Sequence, residues 1–163
     1  MITTSFNRAP GGAGSPTGRC SRPRHKRKTD GGRDHKYKIG LEDVPLDEVN
    51  YERSGSDNMR VRWIVTRETM GASDHVVGVT IFPPSARHHP HRHPYAEETQ
   101  FPITGSGIAR VGDTDIQQGP GDTVFVPRDV IHGFWNNSDR DTVMIWTYGC
   151  PASLAEAGFV RAD

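Results

Sequence analysis

From residue 59 onward, apolar and polar positions alternate in short runs broken by glycine, proline and asparagine. MRVRWIVT (59–66) and HVVGVTIF (75–82) are rich in β-branched and aromatic residues and predict two strands, with RETMGASD a loop between them. The pair Pro83-Pro84 closes the second. Further strands are expected near 87–92, 97–103, 107–112, 115–118, 122–126, 131–135 and 141–148. Many short strands at a spacing of about 8–12 residues, with turn signals between them, describe an all-β sandwich or barrel, and periodicity alone does not separate the two. LEDVPLDEVN (41–50) reads as an extended arm whose proline suits a sheet edge. Near the other end, SLAE (153–156) has the form of a capping box, with Ser153 as N-cap, Glu156 at N3 and Gly158 as the stop of one short helix.

Composition changes the picture at the N-terminus. The chain of 163 residues has no formal net charge, with 20 basic and 20 acidic residues, yet ten of the basic and only two of the acidic ones lie in residues 1–40. A basic tail is thus joined to an acidic body, and the chain divides into a tail (1–40) and one domain (41–163). The tail mixes glycine, proline and cations with almost no apolar residues, so it cannot offset its chain entropy by burial and is expected to be disordered. Its SRPRHKRK stretch could touch phosphates, but a solvated tail or an upstream start codon weighs more than nucleic-acid binding. Two cysteines support no disulfide framework and fit a reducing cytoplasm. No apolar run approaches the roughly 18 residues of a membrane helix, and no secretory h-region is present.

The candidate chemistry lies in HRHPYAEETQFPITG (91–105). On a strand, His91 and His93 point the same way, and Glu98 follows shortly after. Two imidazoles and a carboxylate make most of a first-row metal site, which His132 in GDTVFVPRDVIHGFWN is placed to complete. These two stretches resemble the paired signature motifs of the cupin superfamily. The first motif, G-x5-H-x-H-x3-4-E-x6-G, falls on Ser85, His91, His93, Glu98 and Gly105. The second, G-x5-P-x-G-x2-H-x3-N, falls on Gly121, Pro127, Asp129, His132 and Asn136. Ser85 and Asp129 each replace a glycine that serves a turn. The resemblance implies a double-stranded jelly roll over residues 41–150 whose barrel holds a divalent transition metal on His91, His93, Glu98 and His132. Fe(II) is favoured, with Mn, Ni, Co or Zn also compatible with these donors.

Local ambiguities remain in register. Glu97 and Glu98 must face opposite ways, and the spacing to Gly105 selects Glu98. His89, His91 and His93 form an H-x-H-x-H ladder on one face that could shift register by two, and the spacing to Glu98 favours His91 and His93, leaving His88 and His89 at the pocket mouth or in solvent, either able to serve as acid or base. Gln100 shares the inward face of Glu98 and is expected either to touch a metal-bound water or substrate, or to satisfy a neighbouring side chain. Pro102 implies an edge or bulge. Phe134 should wall the pocket, and Met144, Trp146 and Tyr148 should share an inward face as core or aromatic lining. The expected activity is metal-dependent chemistry on an oxygen-rich small molecule, leaning to Fe(II) dioxygenase-like oxidation. Redox-neutral isomerisation, cyclisation or decarboxylation on the same metal is the alternative, and a non-catalytic ligand-binding module the third. Cupin-like jelly rolls often pair through an outer sheet, so a homodimer is the implied assembly.

Overall fold

A computed structural model of the chain describes residues 36–49 and 56–162. The basic tail as far as residue 35 therefore lies outside the described residues. Twelve strands are described: β1 (Asp47–Val49), β2 (Ser56–Asp57), β3 (Met59–Val65), β4 (His75–Phe82), β5 (Arg87–Arg92), β6 (Glu97–Thr104), β7 (Gly107–Val111), β8 (Thr114–Gln118), β9 (Val124–Val126), β10 (His132–Trp135), β11 (Thr142–Gly149) and β12 (Val160–Arg161). One sheet runs β1-β3-β4-β11-β6-β9, the other β12-β5-β10-β7-β8 with β2 added beside β5, and every pairing is antiparallel. After β4, the chain changes sheet at every connection except the β7–β8 hairpin. That winding is the double-stranded jelly roll, and it brings the inner faces of both sheets around one interior.

Alternation fills this interior. In β11, Thr142, Met144, Trp146 and Tyr148 are buried while the residues between them are half-exposed. Met59, Val61, Val76, Phe82, Val124, Val126 and Phe134 complete most of the core, with the Phe82 and Phe134 rings 4.7 Å apart between centroids. Phe134 thus faces inward as expected, but it packs on Phe82 and does not line the cavity described below. Pro102 sits past the reach of β9, which pairs only with Glu98, Thr99 and Gln100, so its missing N–H leaves no ladder bond unmade on that side. The β11–β6 register slips between Val143 and Met144, opposite Pro102, so both an edge and a bulge are present there.

The expected N-terminal arm does follow a sheet edge, through β1 on β3. It starts with a 3-10 turn at Leu41–Asp43 that the extended reading missed. Arg62 fastens this turn by donating to the Leu41 and Val44 carbonyls and to Glu42. Between β3 and β4, the stretch expected as a plain loop begins with one helical turn, Arg67–Met70. Thr66 caps it by accepting from the Glu68 and Thr69 N–H groups, and left-handed Gly71 ends it. The short helix near the C-terminus spans Leu154–Ala157. Ser153 caps it as expected, but Glu156 turns away from the box to bind Arg67 at 2.8 Å and the Ala152 N–H at 3.1 Å. No helix among the described residues is long and apolar enough to cross a membrane.

Candidate metal centre

His91 (β5), His93 just beyond it, Glu98 (β6) and His132 (β10) are all buried, and one donor atom from each lies within 4.8 Å of the others. Cross-strand pairing explains the convergence, since His132 stands directly opposite His91 in the β10–β5 ladder. Glu97 is exposed while Glu98 is buried, which is the register the spacing selected.

Each imidazole is aimed by its own backbone contact. His91 Nδ1 lies 2.8 Å from the His89 carbonyl, His132 Nδ1 2.9 Å from that of Val130, and His93 Nδ1 2.5 Å from that of Gly158. A carbonyl only accepts, so every Nδ1 carries a proton and every Nε2 turns inward, that of His132 being protonated as well where it donates to Glu98. Histidine ligands are held this way in metal sites. His91 Nε2 is buried with no hydrogen-bond partner, and His93 Nε2 faces Glu98 Oε2 at 3.5 Å. Unpaired buried acceptors are costly unless a cation takes them, so the residues fit a divalent metal. Three nitrogens and one oxygen suit Fe(II), Mn(II), Co(II), Ni(II) or Zn(II).

The electrostatics of the protein without metal agree. Burial pushes His91 well below the ordinary imidazole range, and the neighbouring histidines add to this. Burial also lowers His93, more strongly than Glu98 and the Gly158 carbonyl raise it. For His132, burial is outweighed by the Glu98 charge and the 3.0 Å bond from its Nε2, so it is raised. Glu98, although burial opposes its charge, is drawn down to about 2 by His132, His93 and the Gln100 amide.

Three further side chains complete the surroundings, and one corrects an expectation. The β10–β5 ladder slips by one residue, with His132 opposite His91 but Phe134 opposite His88. The bulge at His89–Pro90 presses on Gly133, where a Cβ would lie 2.7 Å from the His88 carbonyl oxygen. The extra residue breaks the alternation, so His88, and not His89, joins His91 on the inner face. The His88 and His91 rings stack at 3.9 Å, and burial holds His88 down to about 3. His88 lines the cavity, and His89 contributes its carbonyl to His91. Gln100 donates from Nε2 to Glu98 Oε1 at 2.9 Å, and its own Oε1 is buried with no protein partner. Tyr148 is the addition that sequence reasoning placed only as core or aromatic lining. Its hydroxyl lies 3.1 Å from His93 Nε2, and because that ring's proton is on Nδ1, the phenol donates. Tyr148 is pushed well above the ordinary phenol range by burial and by Glu98, so it stays protonated.

A cavity of about 290 Å3 opens from Glu98, His88 and Tyr148 along the inner face of the β1-β3-β4-β11-β6-β9 sheet. Trp63 and Trp146 meet edge to face at 5.0 Å, and Trp146 continues onto Tyr148 at 4.9 Å, making one aromatic wall. Met59, Val61, Leu154 and Phe159 add apolar surface, and Thr80 and Asp47 are the polar members away from the cluster. No Lys or Arg lines the cavity among the described residues. Phe159 belongs to a C-terminal segment the strand reading did not foresee. It stacks on His91 at 4.8 Å, follows the Gly158 carbonyl that holds His93, and leads into β12, which pairs with β5.

Comparison with known proteins matches the cupin domain family over residues 78–148, which span β4 to β11 and all four converging donors. The chain belongs to the cupin superfamily. This cupin is 30% identical over 125 residues to protein SchB of Streptomyces halstedii, covering 77% of this chain and 86% of SchB. It is 28% identical over 121 residues to the polyketide synthase CurC of Streptomyces cyaneus, covering 74% and 76% of the two chains. Among solved structures it is similar to the polyketide cyclase RemF from Streptomyces resistomycificus, with a TM-score of 0.65 and 20% identity over 77% of this cupin and 84% of that chain.

Proposed function

We propose that this cupin is a metal-dependent, redox-neutral cyclase acting on a poly-β-ketone chain. The observation that carries the proposal is the cavity, a mostly apolar, aromatic-walled space with the donor cluster at one end and, among the described residues, no Lys or Arg in its lining. A small dicarboxylate would need cations around it, whereas an uncharged poly-carbonyl chain gains from aromatic walls and one polar end. Polyketide assembly in the printed name of CurC, and cyclisation in that of RemF, lend the reading chemical context.

His91, His93, Glu98 and His132 would hold the metal, which as a Lewis acid acidifies the carbon between two carbonyls. Trp63, Trp146 and Phe159 would hold the chain folded so that two of its carbons meet, and exclude water from the reaction. His88 lies beside the cluster on the cavity wall and is placed to take the carbon-bound proton at a ring nitrogen. Gln100 fixes one oxygen of Glu98 and so the direction of the other.

The test is turnover of a synthetic poly-β-ketone thioester by protein whose metal has been identified by elemental analysis, under air and under nitrogen. Equal cyclisation in both supports the proposal. Stoichiometric oxygen consumption would refute it in favour of the dioxygenase reading, and tight metal-dependent binding without turnover would favour a ligand-binding module. Pairing of two copies, proposed with the function, finds support in exposed Phe101, Ile103 and Phe125 on the outer side of β6 and β9, and sedimentation velocity tests it.

A further inference from the structure

We infer that Tyr148 is a catalytic hydrogen-bond donor that metal loading releases toward the substrate. The inference rests on the proposed metal-assisted reading of this site. Neutral His93 has one in-plane lone pair, at Nε2, and in the structure the Tyr148 hydroxyl occupies it at 3.1 Å. A cation bound by His93 needs that same lone pair, so cation and phenol compete for it. The hydroxyl is buried, and a buried donor deprived of its acceptor must find another or bear the desolvation cost.

The surroundings narrow the choice of acceptor. Tyr148 stands directly across the β11–β6 ladder from Glu98, so its ring and the carboxylate share the inner face. Glu98 is already engaged, accepting from Gln100 at one oxygen and from His132 at the other, and one of its oxygens belongs to the donor cluster. Toward the cavity, the Trp146 indole N–H is a donor already spent on Thr80 Oγ1 at 2.8 Å and offers no acceptor. Beyond these, Tyr148 faces the cavity, which it lines beside the donor cluster. A substrate carbonyl oxygen brought through the cavity to the donor cluster would come beside this hydroxyl, and would gain negative charge as the adjacent carbon lost its proton. A fixed donor aimed at developing charge is the arrangement that stabilises an enolate.

The experiment uses full-length protein loaded with Co(II), whose visible absorption reports a change of ligand. Two oxygen probes are titrated, acetylacetone as a β-diketone and acetate as a simple carboxylate, against wild type, Tyr148→Phe and, as a second variant without a hydroxyl, Tyr148→Leu. The expected result is binding of both probes weakened about tenfold in the variants, the loss of one charge-assisted hydrogen bond, with Co(II) affinity undiminished because the competitor for His93 is gone. Unchanged probe affinity in both variants overturns the inference. Loss of Co(II) occupancy with unchanged probe affinity per bound ion also overturns it, since Tyr148 would then only orient His93. Wild-type binding of acetate but not acetylacetone would instead sink the poly-β-ketone reading, while the acetate comparison still decides the role of Tyr148.

Discussion

Gly78 lies in the middle of β4, opposite both Trp63 and Trp146, and its hydrogen is the space the indole uses. A Cβ built there would stand 2.1 Å from Trp146 Cζ2 and 2.5 Å from two further ring carbons. The ring has little freedom to yield. Its N–H is tied to Thr80 Oγ1 at 2.8 Å, its face meets Trp63 at 5.0 Å, and its far side is against Tyr148 at 4.9 Å. Gly78→Ala must therefore either strain the sheet, at about 1–3 kcal/mol for one extra carbon in a packed core, or expel the indole. Expulsion forfeits a hydrogen bond worth roughly 1 kcal/mol and an aromatic pair worth about 0.5–1.5 kcal/mol. Either route predicts a loss of about 1–3 kcal/mol, read by urea denaturation followed by far-ultraviolet circular dichroism. Because the strain has one identifiable source, Trp146→Leu in the same chain should absorb the added methyl. A double-mutant cycle should then show a coupling of about 1 kcal/mol or more. A Gly78→Ala protein within about 0.5 kcal/mol of wild type, the ordinary range for surface substitutions, would refute the argument, as would strict additivity with Trp146→Leu.

Three shorter predictions follow from the site and its frame. His132→Ala should abolish stoichiometric metal in purified protein measured by elemental analysis, and unchanged occupancy would show the ligand set to be wrong. Glu98→Gln should deplete the metal and Glu97→Gln should not, the reverse pattern contradicting the inward register of Glu98. Ser85 holds φ at 68° where the superfamily carries glycine, so Ser85→Gly should raise stability by about 1 kcal/mol, seen as a higher midpoint of thermal unfolding.

Much of this architecture was legible because strands with one buried face write their period into the sequence. The bounds of β4 and β5 follow directly from HVVGVTIF and from the breakers around RHHPHR. The four donors were legible for the same reason, since alternation sets His91 beside His93 and spacing selects Glu98. Both departures from the glycine pattern, Ser85 and Asp129, have positive φ (68° and 64°). The turn geometry therefore persists where the residue changed. What period two could not reveal is a residue inserted out of step. The bulge at His89–Pro90 exchanges His88 for His89 at the cavity, and its only trace in the sequence is Pro90 within a strand, beside Gly133 on the partner strand. The role of Tyr148 was hidden for another reason, because a buried tyrosine in an apolar strand reads as core until its hydroxyl partner is known. The Gly158–Phe159 contacts were hidden as well, since no repeat of polarity announces a backbone carbonyl.

Those last contacts bear on how the protein comes into being. Translation delivers His91, His93, Glu98 and His132 first, and the carbonyl that sets the tautomer of His93 arrives some 26 residues after the last of them. Without the Gly158 carbonyl, the His93 ring loses the acceptor that holds its proton on Nδ1. The tautomer of His93 is thereby tied to the docking of the segment that bears β12 beside β5.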